Sequence, residues 1–208
     1  MKELIKNSLE KAINYQEYRK LVADLVDEGK TTGPNQSENL AFYTKLNQQR
    51  MARLDKTVQL NEKTKSALKN IKCDLIWLVM TEGWCGDAAQ IMPVLDKVTS
   101  ESPLLEMKVL LRDDNLELMD HYLTNGGRSI PKVIIIDKPS LEAKASWGPR
   151  PKTAQDLFFY YKDHQEELTY QDFQVELQKW YLTDKAQTIQ EELLEFLNIC
   201  EQLPSTAA

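Results

Sequence analysis

The feature that most constrains this chain is an uninterrupted apolar run at residues 75–80, followed closely by Cys85. A short continuous apolar run bounded by turn residues is typical of a strand buried on both faces of a sheet. Apolar side chains then recur at helical spacing over residues 88–98, so Cys85 stands where a strand passes into a helix. The unpaired N–H groups of a first helical turn, together with the helix dipole, favour a thiolate over a thiol. Because the thiolate is the nucleophile of disulfide chemistry, this junction predicts a reactive sulfur.

Length and charge argue against several classes of protein. The chain has 208 residues, which is enough for one core with extensions or for two small domains. Its net charge of −6 and its pI near 5.1 argue against a nucleic-acid-binding surface and give no reason to expect an anionic membrane as partner. Charged residues interrupt the N-terminal segment, and no apolar run approaches the length of a membrane span. We therefore expect a cytoplasmic protein that binds neither nucleic acid nor membrane.

The cysteine and histidine content argues against a disulfide scaffold and against a metal site. The three cysteines, Cys73, Cys85 and Cys200, are odd in number and too few for a scaffold, which favours a reducing compartment. No cysteine–histidine cluster has metal-ligand spacing, so we predict no bound metal. Cys73 stands at the far end of the predicted strand, about 20 Å or more from Cys85, which is too far for the two to pair. Cys200 lies on an apolar helical stripe and is predicted to pack in the core.

Hydrophobic periodicity divides the chain into three parts. Residues 1–61 carry amphipathic stripes at helical spacing and are predicted to form an N-terminal helical extension. Residues 151–208 show the same pattern and are predicted to pack on the core as a C-terminal helical segment. Residues 62–150 alternate helices with strands, and the strands are expected over 74–80, 107–111, 132–136 and 141–147. Near-continuous apolar strands separated by helices predict an α/β fold with a sheet covered on both faces.

Capping signals predict where two of the helices begin. Asn35 with Glu38 is typical of a capping pair and predicts the start of the third N-terminal helix. Within the core, Asp114 and Glu117 predict the start of a helix that Asn125 and the two following glycines would close. The apolar side chains of this core helix that we expect to point inward are Leu116, Met119, Tyr122 and Leu123.

Three motifs of the core resemble those of the thioredoxin superfamily. Trp84-Cys85-Gly86 follows the apolar strand, Pro93 stands eight residues after the cysteine, and Ile130-Pro131 precedes another apolar strand. In that superfamily the first motif opens a helix, the first proline kinks it, and the second proline is cis and faces the cysteine. Within the superfamily the chain most resembles bacterial thioredoxin-like proteins with a Trp-Cys-Gly-Asp motif and a Trp-Gly-Pro-Arg-Pro stretch, here 147–151. The resemblance implies a thioredoxin-like fold, with a central mixed sheet flanked by helices.

The chain departs from the superfamily pattern at two positions. Ala88 stands where a dithiol enzyme has its second cysteine, which breaks the mixed disulfide formed by the first. Val79 stands where thioredoxins keep a buried acid that helps to move the proton of the resolving thiol. The two losses are consistent with each other. They direct the functional prediction toward chemistry with one thiol.

The motif around Cys85 supplies the first set of candidate site residues. Cys85 is the candidate nucleophile, with Trp84 beside it as an apolar contact surface and Gly86 completing the substrate-contact turn. Asp87 raises the thiol pKa by its charge, and we expect its carboxylate to satisfy N–H groups of the first helical turn.

The loop before the third predicted strand supplies the second set. The resemblance places Pro131 in a cis bond next to Cys85, which leaves the backbone of Ile130 able to pair with an extended peptide or with glutathione. Arg128 precedes this loop, and we expect it close to Cys85, where it would lower the thiol pKa or hold a substrate carboxylate. The alternative for Arg128 is a solvated loop cation.

The leading functional prediction is a monothiol thiol–disulfide oxidoreductase acting on a protein disulfide or a low-molecular-weight disulfide. It needs no resident cofactor, and glutathione or another small thiol would serve as co-substrate. The alternative is a redox-inactive binding module of the same fold, whose added helices dock a partner or join two copies in a homodimer. A third hypothesis is a relative of the glutathione transferases. It is disfavoured because that family has its helical domain only after the thioredoxin-like part, whereas helices here both precede and follow the core.

Overall fold

A computed structural model of the protein describes residues 1–199, which fold into nine helices and four strands. The helices are α1 (Lys2–Lys11), α2 (Tyr15–Asp27), α3 (Glu38–Thr57), α4 (Glu62–Asn70), α5 (Gly86–Ser100), α6 (Leu116–Met119), α7 (Lys152–Asp163), α8 (Tyr170–Asp184) and α9 (Gln187–Leu197). The strands are β1 (Leu75–Thr81), β2 (Leu105–Leu111), β3 (Lys132–Asp137) and β4 (Glu142–Trp147). None of the helices in this described part combines the length and the apolar character needed to cross a membrane.

The four strands form one mixed sheet in the order β2-β1-β3-β4. β1 pairs in parallel with β2, and the crossover between them contains α5, while β3 runs antiparallel to both β1 and β4. At the centre of the sheet, Trp77 of β1 lies between Met107 of β2 and Ile135 of β3. Every residue of β1 is buried, as its continuous apolar run predicts. The predicted α/β fold with a central mixed sheet and flanking helices is therefore confirmed.

The helix that follows Cys85 is buried on more than the one face that its periodicity predicts. Every residue of α5 from Asp87 to Leu95 is buried. The reason is that α3 packs against α5 from the N-terminal side of the chain and α9 packs against it from the C-terminal side. The sequence pattern shows the face of α5 that contacts the sheet, whereas the cover on its other side comes from distant helices.

Residues near both ends of the chain form hydrogen bonds with the sheet and with the segment between α3 and α4. Ile13, between α1 and α2, exchanges two backbone hydrogen bonds of 2.9 and 2.7 Å with Val109, so the outer edge of β2 does not stand open. On α9, the fully buried Gln190 accepts a hydrogen bond from the backbone N–H of Asn61 at 2.9 Å and donates one to the carbonyl of Gln59 at 3.2 Å. The last described helix is thereby joined to the segment between α3 and α4.

Two of the predicted helix boundaries are wrong. α3 is capped by Ser37, whose hydroxyl accepts from Leu40 N, whereas the side chain of Asn35, two residues earlier, accepts from the N–H of Ser37. In the core, α6 ends at Met119 and does not continue to the Asn-Gly-Gly sequence.

The early end of α6 follows from the chemistry of the turn after it. Asn125 and Gly126 both have positive φ, and Thr124 forms a bridge with Gly127 across them. An Asn-Gly pair is well suited to a two-residue hairpin turn, so these residues close a hairpin and do not cap a helix. As a result Leu123, predicted to point inward, is 41% exposed.

The loop after β4 lies directly against the loop before β3, and Gly148 makes this contact possible. Gly148 has a φ of +110°, and a Cβ placed on it would stand 2.3 Å from the carbonyl oxygen of Pro131. The buried Lys132 also joins this region, since its Nζ donates to Thr124 Oγ1 at 2.7 Å and to the Gly148 carbonyl at 3.3 Å. The loop that contains Pro131 therefore depends on a residue without a side chain at position 148.

We expect Gly148→Ala to lower the free energy of unfolding by about 3 kcal/mol or more, because the methyl group adds a steric clash to the cost of an unfavourable φ. Gly126→Ala is the matched control, since Gly126 also has positive φ but nothing lies within 4 Å of its would-be Cβ. That change should cost only about 1 kcal/mol. Urea unfolding of both variants measures the difference, and equal losses would show that the contact with Pro131 does not matter.

Candidate functional site

Cys85 lies at the N-terminus of α5, next to the loop that contains Pro131. It is the N-cap residue of α5, and its Sγ accepts a hydrogen bond from the backbone N–H of Ala88 at 3.5 Å. The same Sγ donates to the carbonyl oxygen of Ile130 at 3.3 Å. The Ile130–Pro131 bond is cis, as the resemblance implies. The strand-to-helix turn and the proline loop, distant in sequence, therefore meet at this sulfur.

The environment of Cys85 holds its sulfur as a protonated thiol, so the prediction of a favoured thiolate is wrong. The residue is only 7% exposed. Burial, followed by the charge of Asp87, raises the pKa of Cys85 to about 12, and the N–H of Ala88 and the charge of Arg150 oppose that rise. The helix N-terminus does act in the predicted direction, but the loss of hydration outweighs it. A protonated thiol is also what donation to the Ile130 carbonyl requires.

Asp87 does not satisfy the first helical turn, contrary to expectation. Its carboxylate is buried, forms an ion pair of 2.7 Å with Arg150 Nη2, and accepts a hydrogen bond of 2.9 Å from the hydroxyl of Tyr181. Burial raises the pKa of Asp87, and the charge and hydrogen bond of Arg150 act against that rise. The physical reason for the different role is that a buried charge is stable only with a partner, which Arg150 supplies, while Cys85 Sγ already serves the N–H of Ala88.

Arg150 explains the Trp-Gly-Pro-Arg-Pro stretch that the sequence alone leaves without a physical account. Its guanidinium lies 5.0 Å from the ring centre of Phe158 and 5.9 Å from that of Phe173, in addition to its pairing with Asp87. A planar cation stacks well on aromatic rings, which helps to keep this buried group in place. The stretch therefore places the positive charge of Arg150 next to the first turn of α5.

Glu192 on α9 fixes the same stretch from the other side. One of its carboxylate oxygens accepts from Trp147 Nε1 at 2.7 Å, and the other accepts from the backbone N–H of Lys152 at 2.7 Å. Because Trp147 and Lys152 flank Arg150 in the chain, this bridge holds the backbone that carries it. The peptide bond between Gly148 and Pro149 within the stretch is cis.

Arg128 is paired elsewhere and does not supply the positive charge next to the sulfur. Its Nε and Nη2 bind the two carboxylate oxygens of Asp120 at 2.6 and 2.8 Å, and its side chain is 45% exposed. The cation whose charge lowers the pKa of Cys85 is Arg150. Sequence proximity to the proline loop indicated Arg128, whereas the fold brings Arg150 to this position.

A cleft of about 820 Å³ gives access to the residues around Cys85. Its walls are α3 on one side and α8 on the other, so both of its walls lie outside the segment predicted as the core. Pro131 is buried and does not line the cleft. The other predicted site residues all line it, namely Trp84, Cys85, Gly86, Asp87, Arg128 and Ile130.

The rim of the cleft combines a cation stacked on Trp84 with several exposed apolar or aromatic side chains. The guanidinium of Arg112 lies over the ring of Trp84, 5.0 Å from its centre, and pairs with Asp113 at 2.6 Å. Around the two walls stand four large, exposed apolar or aromatic side chains, Phe42, Tyr170, Val175 and Leu182. Such a rim can contact the apolar part of a bound molecule while the cysteine turn contacts its polar part.

Sequence reasoning missed three residues of this site. Arg50 on α3 lines the cleft, Tyr181 on α8 binds Asp87, and Glu82 lies buried just before the cysteine turn. A signal existed for the first two, because position 50 continues the apolar stripe of α3 and position 181 continues that of α8. A charged or hydrogen-bonding residue on an apolar stripe indicates an environment that satisfies its polar group.

Glu82 is a buried acid close to the position of the acid that the chain lacks at Val79. Its Oε1 accepts from the backbone N–H of Asp113 at 2.8 Å, and burial raises the pKa of Glu82 while Thr32 and that N–H lower it. No periodic pattern indicates Glu82, since it stands in the turn between β1 and α5.

The remaining cysteines contribute no thiol to the described site. Cys73 is disulfide-bonded, which the cysteine count did not predict. Cys200, predicted to pack in the core, lies outside the described residues. Within residues 1–199, no group of three or more histidine, cysteine, aspartate or glutamate side chains is arranged to hold a metal ion.

Comparison with solved structures finds the same fold in two proteins. A crystal structure of an HIV epitope scaffold matches with a TM-score of 0.56 and 18% identity, covering 92% of this chain and 100% of the other. A crystal structure of a protein of unknown function from Pseudomonas aeruginosa matches with a TM-score of 0.50 and 18% identity, covering 86% and 99%. At this identity the likeness shows the fold alone. No protein with a curated description matches the chain.

A protein-family model described as thioredoxin matches residues 33–168, which is more than half of the chain. The matched range contains α3, the cysteine turn, the proline loop and Arg150, and it ends just before α8. The sequence motifs, the order and direction of the four strands and this match agree. The chain belongs to the thioredoxin family.

Proposed function

We propose that this protein is a monothiol thiol–disulfide oxidoreductase in which Cys85 Sγ is the nucleophile. The observation that carries the proposal is the position of this sulfur: it caps α5, contacts the carbonyl of Ile130 and lines a cleft large enough for a small disulfide or an extended peptide segment. A disulfide bound in the cleft would lie next to a free thiol and next to a backbone segment able to pair with it.

The proposed reaction is a thiol–disulfide exchange. Cys85 first loses its proton to water, and its thiolate attacks one sulfur of the substrate. The S–S bond of the substrate breaks as a new S–S bond to Cys85 forms, and the leaving thiolate takes a proton from water. The thiolate of a second thiol from solution then attacks the substrate sulfur of the mixed disulfide. A new S–S bond forms between these two sulfurs, the bond to Cys85 breaks, and the released Cys85 thiolate takes a proton from water.

The proposed route takes the second thiol from solution because residues 1–199 offer no further free thiol. Ala88 occupies the position one turn into α5, where its N–H lies 3.5 Å from the sulfur, and Cys73 is disulfide-bonded. A low-molecular-weight thiol such as glutathione fits this step as co-substrate, and the route requires no resident cofactor.

A second candidate function is a binding module of the same fold without redox chemistry. The burial and the raised pKa of Cys85 favour it, because a protonated thiol is a poor nucleophile. In this case the cleft and its apolar rim would hold a peptide while the sulfur remains idle. The two functions differ in whether a covalent adduct forms at Cys85.

The direct test is incubation of the reduced protein with 2-hydroxyethyl disulfide at pH 9, followed by mass spectrometry of the Cys85 peptide. We expect a mixed disulfide on Cys85 that a small thiol removes. In Ala88→Cys, the introduced thiol should resolve the adduct and raise the reduction of insulin disulfides well above the wild-type rate. Absence of any adduct at Cys85 in the wild type would favour the binding module.

The pH dependence of Cys85 alkylation tests the protonation state of the thiol. Because the folded pKa lies near 12, above the ordinary value of about 8.5, the thiolate fraction should still be rising at the pH where a free thiol is fully ionised. The alkylation rate by iodoacetamide should therefore rise about tenfold per pH unit from pH 7 to at least pH 10. A plateau near pH 7 would show instead that the sulfur is already a thiolate.

Replacement of Asp87 should separate the two causes of the raised pKa. Asp87→Asn removes the nearby negative charge, so the pKa of Cys85 falls and alkylation at pH 8 speeds up by about tenfold. The same change leaves Arg150 buried without its partner and should cost about 3 kcal/mol of stability or more. Asp120→Asn, which removes the exposed partner of Arg128, is the matched control and should change neither quantity appreciably. An unchanged alkylation rate in Asp87→Asn would mean that burial alone sets the pKa.

A further inference from the structure

The cleft next to Cys85 contains a cation that no carboxylate of the described chain neutralises. Five cationic side chains line the cleft, and four of them form ion pairs of 2.6 to 2.7 Å within residues 1–199. The exception is Arg50 on α3. The four pairs are Arg112 with Asp113, Arg128 with Asp120, Arg150 with Asp87, and Lys179 with Glu176.

The guanidinium of Arg50 is held in a fixed orientation with most of its donors unused. Its Nη1 donates to Asn47 Oδ1 at 3.0 Å, and the fully buried Asn47 in turn donates through Nδ2 to the Gly83 carbonyl at 3.0 Å. Gly83 belongs to the turn that leads into the cysteine. An arginine has five N–H donors, so one bond to Asn47 orients the group and leaves donors for a ligand.

Arg50 lies immediately beside the cysteine turn. A Cβ placed on Gly86, the residue after Cys85, would stand 3.5 Å from Arg50 Nη1. The charge of Arg50 lowers the pKa of Asp87, but the Asp87 carboxylate pairs with Arg150 and accepts a hydrogen bond from Tyr181. A molecule bound to the sulfur therefore meets an oriented, partly buried positive charge on the α3 wall, in a protein whose net charge is −6.

We propose that Arg50 binds a carboxylate of the disulfide substrate and so selects substrates that carry an anionic group close to their sulfur. This inference rests on the proposed function of Cys85. The guanidinium fork matches a carboxylate in shape and charge, and such charge-assisted hydrogen bonds strengthen where water is partly excluded. A neutral or cationic substrate gains nothing from this contact. Arg50 is in this sense a specificity-determining residue of the site.

The test compares three small disulfides of matched length with the full-length protein at pH 9 and low ionic strength. They are 3,3′-dithiodipropionate, 2-hydroxyethyl disulfide and cystamine, which are anionic, neutral and cationic. Mass spectrometry follows the rate of mixed-disulfide formation at Cys85, and each rate is divided by that of the same disulfide with a free small thiol, because the leaving-group pKa differs between the compounds. For the wild type we expect the anionic compound to react about tenfold faster than the neutral one, and cystamine to react most slowly.

Variants of two arginines on the same helix provide the comparison. Arg50→Gln should bring the ratio of the anionic to the neutral rate close to one, and Arg50→Lys should restore part of the preference. Arg53→Gln is the matched control, because Arg53 is an exposed cation of α3 that does not line the cleft, and it should retain the wild-type ratio. A wild-type ratio near one, or an Arg50→Gln ratio equal to that of the wild type, overturns the role of Arg50 while the proposed function stands.

A binding measurement keeps the role of Arg50 testable if no adduct forms. Cys85→Ser cannot react, and its affinity for 3,3′-dithiodipropionate can be measured by calorimetry with and without Arg50→Gln. About tenfold weaker binding in the double variant supports the carboxylate site even if the redox function fails. Equal affinity of the two proteins, or no binding to either, overturns it.

Discussion

The site depends on the buried ion pair between Asp87 and Arg150. It joins the first turn of α5 to the loop after β4, and Tyr181 adds a contact from α8, so three separate parts of the chain converge on one carboxylate. Removing one member of a buried ion pair costs about 3 to 5 kcal/mol, because the remaining charge has no partner. Loss of this contact should therefore destabilise the protein far more than loss of a surface ion pair. The position of Arg150 and the cover of the cysteine turn by α8 follow from satisfying Asp87.

The same pair explains why the sulfur behaves differently from what its place at a helix N-terminus indicates. Asp87 raises the pKa of Cys85 and Arg150 lowers it, so the two charges partly cancel at the sulfur and burial decides the direction. A helix terminus promotes ionisation only where the ion keeps some hydration or a net positive neighbourhood. Here the helices that cover α5 bury the sulfur, and this burial outweighs the opposing positive charge of Arg150. Packing around the sulfur thereby favours the protonated thiol.

Local sequence predicted those parts of the structure that local physics controls. The apolar run of β1 predicted a buried central strand, whereas the meeting of the Trp84-Cys85-Gly86 turn with the Ile130-Pro131 loop was predicted through the family resemblance. The partner of Asp87 was not predictable, because a carboxylate carries no signal that distinguishes Arg128 from Arg150 before the fold brings one of them close. The end of α6 was misjudged for a different reason: Asn-Gly can follow a helix or close a hairpin, and pairing between Thr124 and Gly127 decides.

The helices outside the predicted core form both walls of the cleft, one from α3 and the other from α8. The two walls differ in origin: α3 lies within the range matched by the thioredoxin family and α8 lies beyond it. Asn47 and Arg50 on α3 are tied to the cysteine turn by hydrogen bonds, whereas α8 is tied to it by Tyr181 and by the Gln178 side chain, which accepts from Gln90 of α5 at 2.7 Å. The α3 wall thus contributes a cation with donors left over, whereas the cation of the α8 wall, Lys179, is already paired with Glu176. An anionic group that enters the cleft finds an unpaired cation of residues 1–199 only on the α3 side, so we expect this wall to distinguish bound molecules by their charge.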